Sequence, residues 1–514
     1  MSEGEKLQRA VSFTIAAGYQ LDKEAFDFLT TLSKKEDPLS LMERTIEKLA
    51  GLPENPLFVD RKLLEEMAKD VFQKGKPASS GSPRPILETR KSFRPYAKDT
   101  DANIKVLDDP TDKVCTTGSA EEYLQYFQDR FKKIKKILRR RIDTKSAMPI
   151  SEALKAPVNS KVKIIGMVTE KRESKKRLFL KFEDLEASVT VLVPHNIGKE
   201  AMEKAQTLLL DQVICVSAIK GRNKLFIAKD FIWPDVPQKT PHKASLPVYA
   251  ALISDLHTGS QMFMENEFNR FVSWLNGNFG NKHARNLASH VKYVVIAGDL
   301  VDGIGVYPGQ MEELVIQDIY EQYREVAKLI AQIPDYIEVV IIPGNHDASR
   351  KALPQPAIPR DYAEPLYEAR KMYSLGNPCT ISLHEVELLL YHGRSLDDVA
   401  AVAPNVSVQT PNKSMKLLLQ SRHLAPIYGE RTPIAPETKD FIVIERVPDI
   451  FHAGHVHVLK CDTYRGTLLV NSGAWQGQTD YQKRMGVIPT PGIVPIVNLQ
   501  TLRVSTINFT EVYG

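Results

Sequence analysis

One pattern recurs five times in the C-terminal half of this chain. An apolar run of strand length stops, and Asp, Asn or His follows at once. VYAALISDLHTG delivers Asp255 and His257, YVVIAGDLVDG delivers Asp299 and Asp302, and IEVVIIPGNHD delivers Asn345, His346 and Asp347. VELLLYHG ends on His392, and DIFHAGHVH on His455 and His457. Short Val/Ile/Leu runs alternating with helical patterns specify α/β layers over residues 245–514. In open α/β sheets ligands gather beyond the carboxyl ends of strands, so the five ends are expected to feed one small site. Alternation along an extended strand puts Asp255 and His257 on one face, and likewise His455 and His457. Gly298, Gly344 and Gly454 stand just before these residues and permit tight turns.

Imidazole and carboxylate together suit a pair of borderline divalent transition metals better than calcium, which prefers oxygen shells. A carboxylate bridges two cations, and the neutral Asn345 adds an oxygen without further charge. A lone histidine after a strand is usually structural; the five motifs in this order are what point to chemistry. His195, His242, His283, His290, His384 and His423 fit no such motif and read as structural or exposed.

The rest of the chain divides by composition. At 514 residues about three domains are expected. Hydrophobic residues at 43% and charged residues at 25% exclude a fibrous or wholly disordered chain. No apolar run reaches about 18 residues, so no membrane span or membrane partner is expected. Four scattered cysteines fit a reducing, cytoplasmic setting. Residues 1–75 read as an N-terminal helical bundle, with a capping box at Ser40/Glu43, a helix end at Gly51 and a cap at Asp60. Residues 76–117 read as a flexible linker rich in Gly, Ser, Pro and Lys near its start. A basic helix over 118–147 opens on the capping box Ser119/Glu122 and carries RFKKIKKILRRR, either a solvated face or a phosphate-attracting one. Residues 148–236 give strands at 162–169, 178–183 and 188–193, a helix at 199–209, and strands at 213–218 and 225–232, the order of an OB-fold β-barrel. Its two basic loops, with Lys171, Arg172, Lys175, Lys176 and Arg177 in one and Lys220, Arg222 and Lys224 in the other, are expected to touch nucleic acid.

The motif set D-x-H, GD-x-x-DG, GNHD, a strand-end His and GH-x-H resembles the calcineurin-like metallophosphoesterase superfamily. An OB-fold directly before such a domain, with LLLQSRHLAPIYG, PDIFHAGHVH and LVNSGAWQGQTDYQKRMG, resembles the B-subunit family of replicative DNA polymerases, in particular its archaeal family-D branch. The resemblance implies a multidomain chain whose phosphoesterase domain is an α/β β-sandwich flanked by helices. It implies two divalent metal ions, manganese by family, with zinc, iron or nickel compatible with the same donors. Asp255, His257, Asp299 and His457 would hold one ion, and Asp299, Asn345, His392 and His455 the other. His346 would face the scissile phosphate and Asp302 would orient it. The implied activity is 3′→5′ exonuclease proofreading on single-stranded 3′ ends of DNA. The implied partner is a large catalytic polymerase subunit in a heterodimer, with a sliding clamp or other replication protein as a further partner. The alternatives are a free-standing metallonuclease of the superfamily and a catalytically silent structural subunit.

Overall fold

The computed structural model describes residues 3–16, 20–21, 23–33, 37–50, 58–59, 61–72, 93–174 and 177–511. Gly51, Asp60 and residues 76–92 of the expected linker lie outside them. The chain forms two units, Met1–Ser92 with Ser505–Ile507, and Phe93–Val504 with Asn508–Gly514.

Among the described residues the N-terminal unit holds four helices, Glu3–Ala16, Lys23–Ser33, Leu39–Ala50 and Arg61–Phe72. They close around Ala10, Ala25, Leu29, Leu41, Met42, Leu64 and Met67. The third helix corrects the sequence reading. Ser40 lies inside it, and Asp37 is the cap: its carboxylate accepts the Leu39 N–H at 3.1 Å. Asp followed by Pro38 is itself a start signal, because proline sits well at the first helical position.

In the second unit, two six-stranded sheets face each other. One runs Tyr373–Ser374, Glu338–Ile342, Val291–Ala297, Tyr249–Ile253, Ile493–Asn498, Val504–Asn508. The other runs Lys460–Tyr464, Thr467–Asn471, Ile450–Ala453, Val386–Leu390, Cys379–Leu383, Ile104–Asp108. Alternate residues of each meet in a shared core, Leu252, Val295 and Val340 from the first against Ile381, Leu388 and Val470 from the second. Leu389, Phe451 and Leu469 on the opposite face of the second sheet pack with Val399, Met415 and Leu418 from the helices Ser395–Val402 and Pro411–Ser421. Each fully buried Leu, Ile or Val contributes about 1.5–3 kcal/mol.

Residues 93–117 are not linker. Ile104–Asp108 pairs antiparallel with Cys379–Leu383 and forms the edge of the second sheet. All five of its side chains are half or fully exposed, so it lacks the apolar alternation that marks a strand, and its partner is remote in sequence.

Between that edge strand and the rest of the sandwich, in chain order, comes a closed barrel with the strands Lys161–Ser174, Arg177–Glu183, Ser188–Val193, Leu225–Ile232, Val213–Lys220 as neighbours. Its third and last strands pair parallel, and the helix Lys199–Thr207 links strands three and four of the chain. Val162, Ile164, Leu180, Phe182, Val191, Val216 and Phe226 fill it.

The basic helix Ala120–Arg139 opens on the expected Ser119/Glu122 capping box. Its charge is partly structural. Arg130 is fully buried; its Nε meets Asp440 at 3.0 Å, and it donates to the Pro426 carbonyl at 2.8 Å and the Tyr126 hydroxyl at 2.9 Å. Burial opposes charge on Asp440, yet His423 and Arg130 hold its carboxyl well below the usual range. Removing one member of such a pair strands the other, so Arg130→Met is expected to cost about 3–5 kcal/mol. Lys133, paired at 3.1 Å with Asp129 and more exposed, should lose under about 1 kcal/mol on the same change. Urea unfolding of the two variants measures the contrast.

Candidate metal centre

All seven sequence-derived ligand positions converge at the strand ends. The backbone that delivers them is not extended strand. Asp255, His257, Asp299, His455 and His457 all have left-handed φ, between 53° and 71°. The alternation argument therefore fails for both Asp255/His257 and His455/His457, although their side chains still converge. Leu256, between the first pair, turns into the core. A non-glycine residue in this region costs about 1–2 kcal/mol, and such strain gathers where function requires a particular geometry. The turns are tied to one another: Asp255 N–H donates to Gly298 O at 2.9 Å and His257 N–H to Asp299 O at 3.1 Å. Gly344 is needed because a Cβ there would run into the Asp299 carboxylate, and at Gly298 (φ +89°) it would meet the His392 ring nitrogen at 2.7 Å.

Two donor groups share Asp299. In the first, His257 Nε2 and His457 Nε2 lie 3.1 Å apart, with Asp255 Oδ1 3.5 Å from His457 Nε2. In the second, His392 Nε2 is 3.2 Å from Asp299 Oδ2 and 3.1 Å from Asn345 Oδ1, and His455 joins Asp299 and His392. Asp299 Oδ2 reaches back to within 3.8 Å of His257 Nε2. Asp255 Oδ1 is buried and has no hydrogen-bond donor, an expensive condition for a carboxylate oxygen unless a cation meets it. Each imidazole is held by its other nitrogen: His257 Nδ1 by Asp302 Oδ1 at 3.0 Å, His392 Nδ1 by Ala297 O at 2.8 Å, His455 Nε2 by Asp397 Oδ2 at 3.2 Å, and His457 Nδ1 by the Gln482 amide at 2.8 Å. Orienting partners of this kind are the habit of metal-bound histidines. The donor set thus fits two divalent cations.

The electrostatics agree. Burial lowers the His257 ring pKa, but the Asp302 hydrogen bond and the charges of Asp299 and Asp255 outweigh it and raise it to about 9. His392 is raised to about 9 against its own burial by Asp299 and Asp255. Both shifts report a strongly negative local potential, which favours cations.

His346 and Asp302 are arranged differently from the expectation. The Asp302 carboxylate turns to His257, and only its main-chain carbonyl meets His346, at 2.6 Å from Nδ1. Burial holds the His346 pKa below the ordinary imidazole range, and His257 adds to this, against Asp299 and Asp302. The Nδ1 N–H donates to that carbonyl, which leaves Nε2 as the ring's other nitrogen. Asp347 is structural: it accepts the Gly344 N–H at 2.8 Å and the Leu300 N–H at 3.1 Å. His452 lies deeper, at 2.8 Å from the Ser472 hydroxyl.

The sequence reading missed Asp397 and Gln482. Asp397 follows His392 in an ordinary helix start with no motif. Gln482 was visible as the fourth residue of the capping box at Thr479, but its reach to His457 was not.

Of the barrel residues expected to touch nucleic acid, Lys171, Arg172 and Lys220 have partners within the chain. The first strand runs on to Ser174, so Lys171 and Arg172 lie on it and Arg177 opens the next strand; Lys175 and Lys176 lie outside the described residues. This hairpin projects past the barrel core, where the side chains from Lys171 to Ser174 are mostly exposed, which is why apolar alternation stops before the strand does. Lys171 donates to Gln206 O at 2.6 Å, Arg172 lies 5.6 Å from the Phe179 ring, and Lys220 is buried with its ammonium on Gly221 O at 3.1 Å. Arg222 and Lys224 are exposed.

The family of B-subunits of DNA polymerases alpha and epsilon matches this chain over residues 250–459. The chain is 39% identical over 468 residues to a DNA polymerase II small subunit of Methanothermobacter thermautotrophicus, covering 91% of this chain and 93% of that one. It is also 39% identical over 482 residues to one from Archaeoglobus fulgidus, covering 94% of each chain. A relative from Pyrococcus furiosus is 42% identical over 386 residues, 75% of this chain and 63% of that one.

Proposed function

Because this chain belongs to the family of small subunits of the archaeal family-D DNA polymerase, also called DNA polymerase II, we propose that it is the complex's 3′→5′ proofreading exonuclease. The observation that carries the reading is the set of four imidazoles, each oriented through one nitrogen by a separate partner, around a buried carboxylate oxygen that lacks a donor. A merely structural subunit has no use for that arrangement. The paired sheets support a calcineurin-like phosphoesterase domain, and the barrel's strand order supports an OB-fold.

Asp255, His257, Asp299 and His457 would hold one divalent cation, and Asp299, Asn345, His392 and His455 the other, manganese being the family's expectation. Such a pair supplies charge neutralisation for a phosphodiester and an acidified water. The chain's own residues do the rest. Asp299 stands between both donor groups and keeps them in register. His346, fixed through Nδ1, offers Nε2 to take a proton or hydrogen bond from the attacking water. Asp255, Asp299 and His392 are themselves buried, which limits the access of bulk solvent to these donors. Single-stranded 3′ ends of DNA are the substrate, and the large catalytic subunit supplies polymerisation.

The test is digestion of a mismatched 3′ end by the full chain, with and without manganese, beside Asn345→Ala. Stepwise release of 5′-mononucleotides is expected only from the unaltered chain with manganese. No release in any arm means a structural subunit instead.

A further inference from the structure

We propose that Asp397 is a positioning residue for the second cation position, backing the His455 ring with a negative charge additional to that of the shared Asp299; this rests on the metal reading above. The two donor groups are unequal. The first owns a carboxylate, Asp255, in addition to the shared Asp299. The second owns the neutral Asn345 in the corresponding role. Asp255 accepts the His455 main-chain N–H at 2.9 Å, and among the described residues the carboxylate paired with the His455 ring is Asp397, at 3.2 Å from Nε2. It mirrors Asp302, at 3.0 Å from His257 Nδ1. Each group therefore includes one imidazole backed by a carboxylate, which fixes the ring and raises its basicity.

The backbone explains how Asp397 gets there. The helix Ser395–Val402 starts three residues after His392, and Asp397 is in its first turn. Gly393 (φ +115°) lets the chain pass so close to the next strand end that an added Cβ would stand 2.9 Å from Gly454 O and 3.4 Å from His455 Cβ. This crossing brings the first helical turn onto the His455 ring. With Nε2 held by Asp397, Nδ1 is the nitrogen left for a cation. Without that contact the ring is free to turn, and no carboxylate backs it.

Manganese alone is the probe, titrated into the full chain and followed by the electron paramagnetic resonance signal of the free ion, without DNA. Two equivalents are expected to bind to the unaltered chain. In Asp397→Ala one binding step weakens by about 10–100-fold and the other holds. Asp397→Asn, closest in shape, keeps the fold and falls between. The double variant with Asn345→Ala should weaken the same step. If both steps are unchanged in Asp397→Ala while its melting temperature falls, Asp397 is a structural ion-pair partner and the proposal is wrong. If the unaltered chain binds no manganese, the metal reading itself fails and takes the proposal with it.

Discussion

Asp299→Ala is expected to abolish DNA hydrolysis, by at least about three orders of magnitude, equivalent to about 4 kcal/mol of lost transition-state stabilisation, and to strip both cations at once. No other donor belongs to both groups: Asp299 Oδ2 lies 3.2 Å from His392 Nε2 and 3.8 Å from His257 Nε2. Its second oxygen accepts the His346 N–H at 2.7 Å, so the alanine also releases the loop that carries His346. Asp299→Asn keeps an oxygen for that N–H and separates the two effects. Nucleotide release and bound manganese, measured on both variants, check this. Full retention of either ion in the alanine variant would contradict a shared ligand.

A different signature is expected of His346→Ala. The rate of hydrolysis should fall by about 10²–10³-fold, while both cations and the fold are kept. The ring is partly exposed and stands nearly perpendicular to His257, with centroids 4.6 Å apart. Its one strong tie is to a main-chain carbonyl. Deleting it removes a proton acceptor beside the donor cluster without removing a donor. The comparison to make is the single-turnover rate at saturating manganese beside the metal content of the same sample. Undiminished digestion would remove His346 from the mechanism.

How much of this was legible in the sequence varied with how local the determinant is. The barrel strands and the five strand ends were legible because apolar periodicity is written over a few residues. The convergence of these seven side chains was legible because their types are rare immediately after strands. Conformation at those residues was not: Asp255 and His257 read as alternating strand, and only the close packing of several turns holds them left-handed. The edge strand Ile104–Asp108 stayed hidden because its pairing is with residues far along the chain. Arg130 looked like part of a surface charge run, since nothing near it announces Asp440. Lys171 and Lys220 looked free for the same reason, their carbonyl partners being set by the folded barrel. Asp397 needed the Gly393 crossing before it meant anything.

The edge strand also changes what counts as a module in this protein. Since Ile104–Asp108 completes the second sheet ahead of the barrel, the barrel is an insertion into the sandwich and not a bead strung before it. The chain leaves the sandwich, builds the barrel and returns. A fragment cut at the apparent boundary near residue 245 would bare the backbone of Cys379–Leu383, the kind of open margin that recruits foreign chains. Barrel and sandwich therefore cannot be separated by a single cut in the chain without leaving one sheet incomplete.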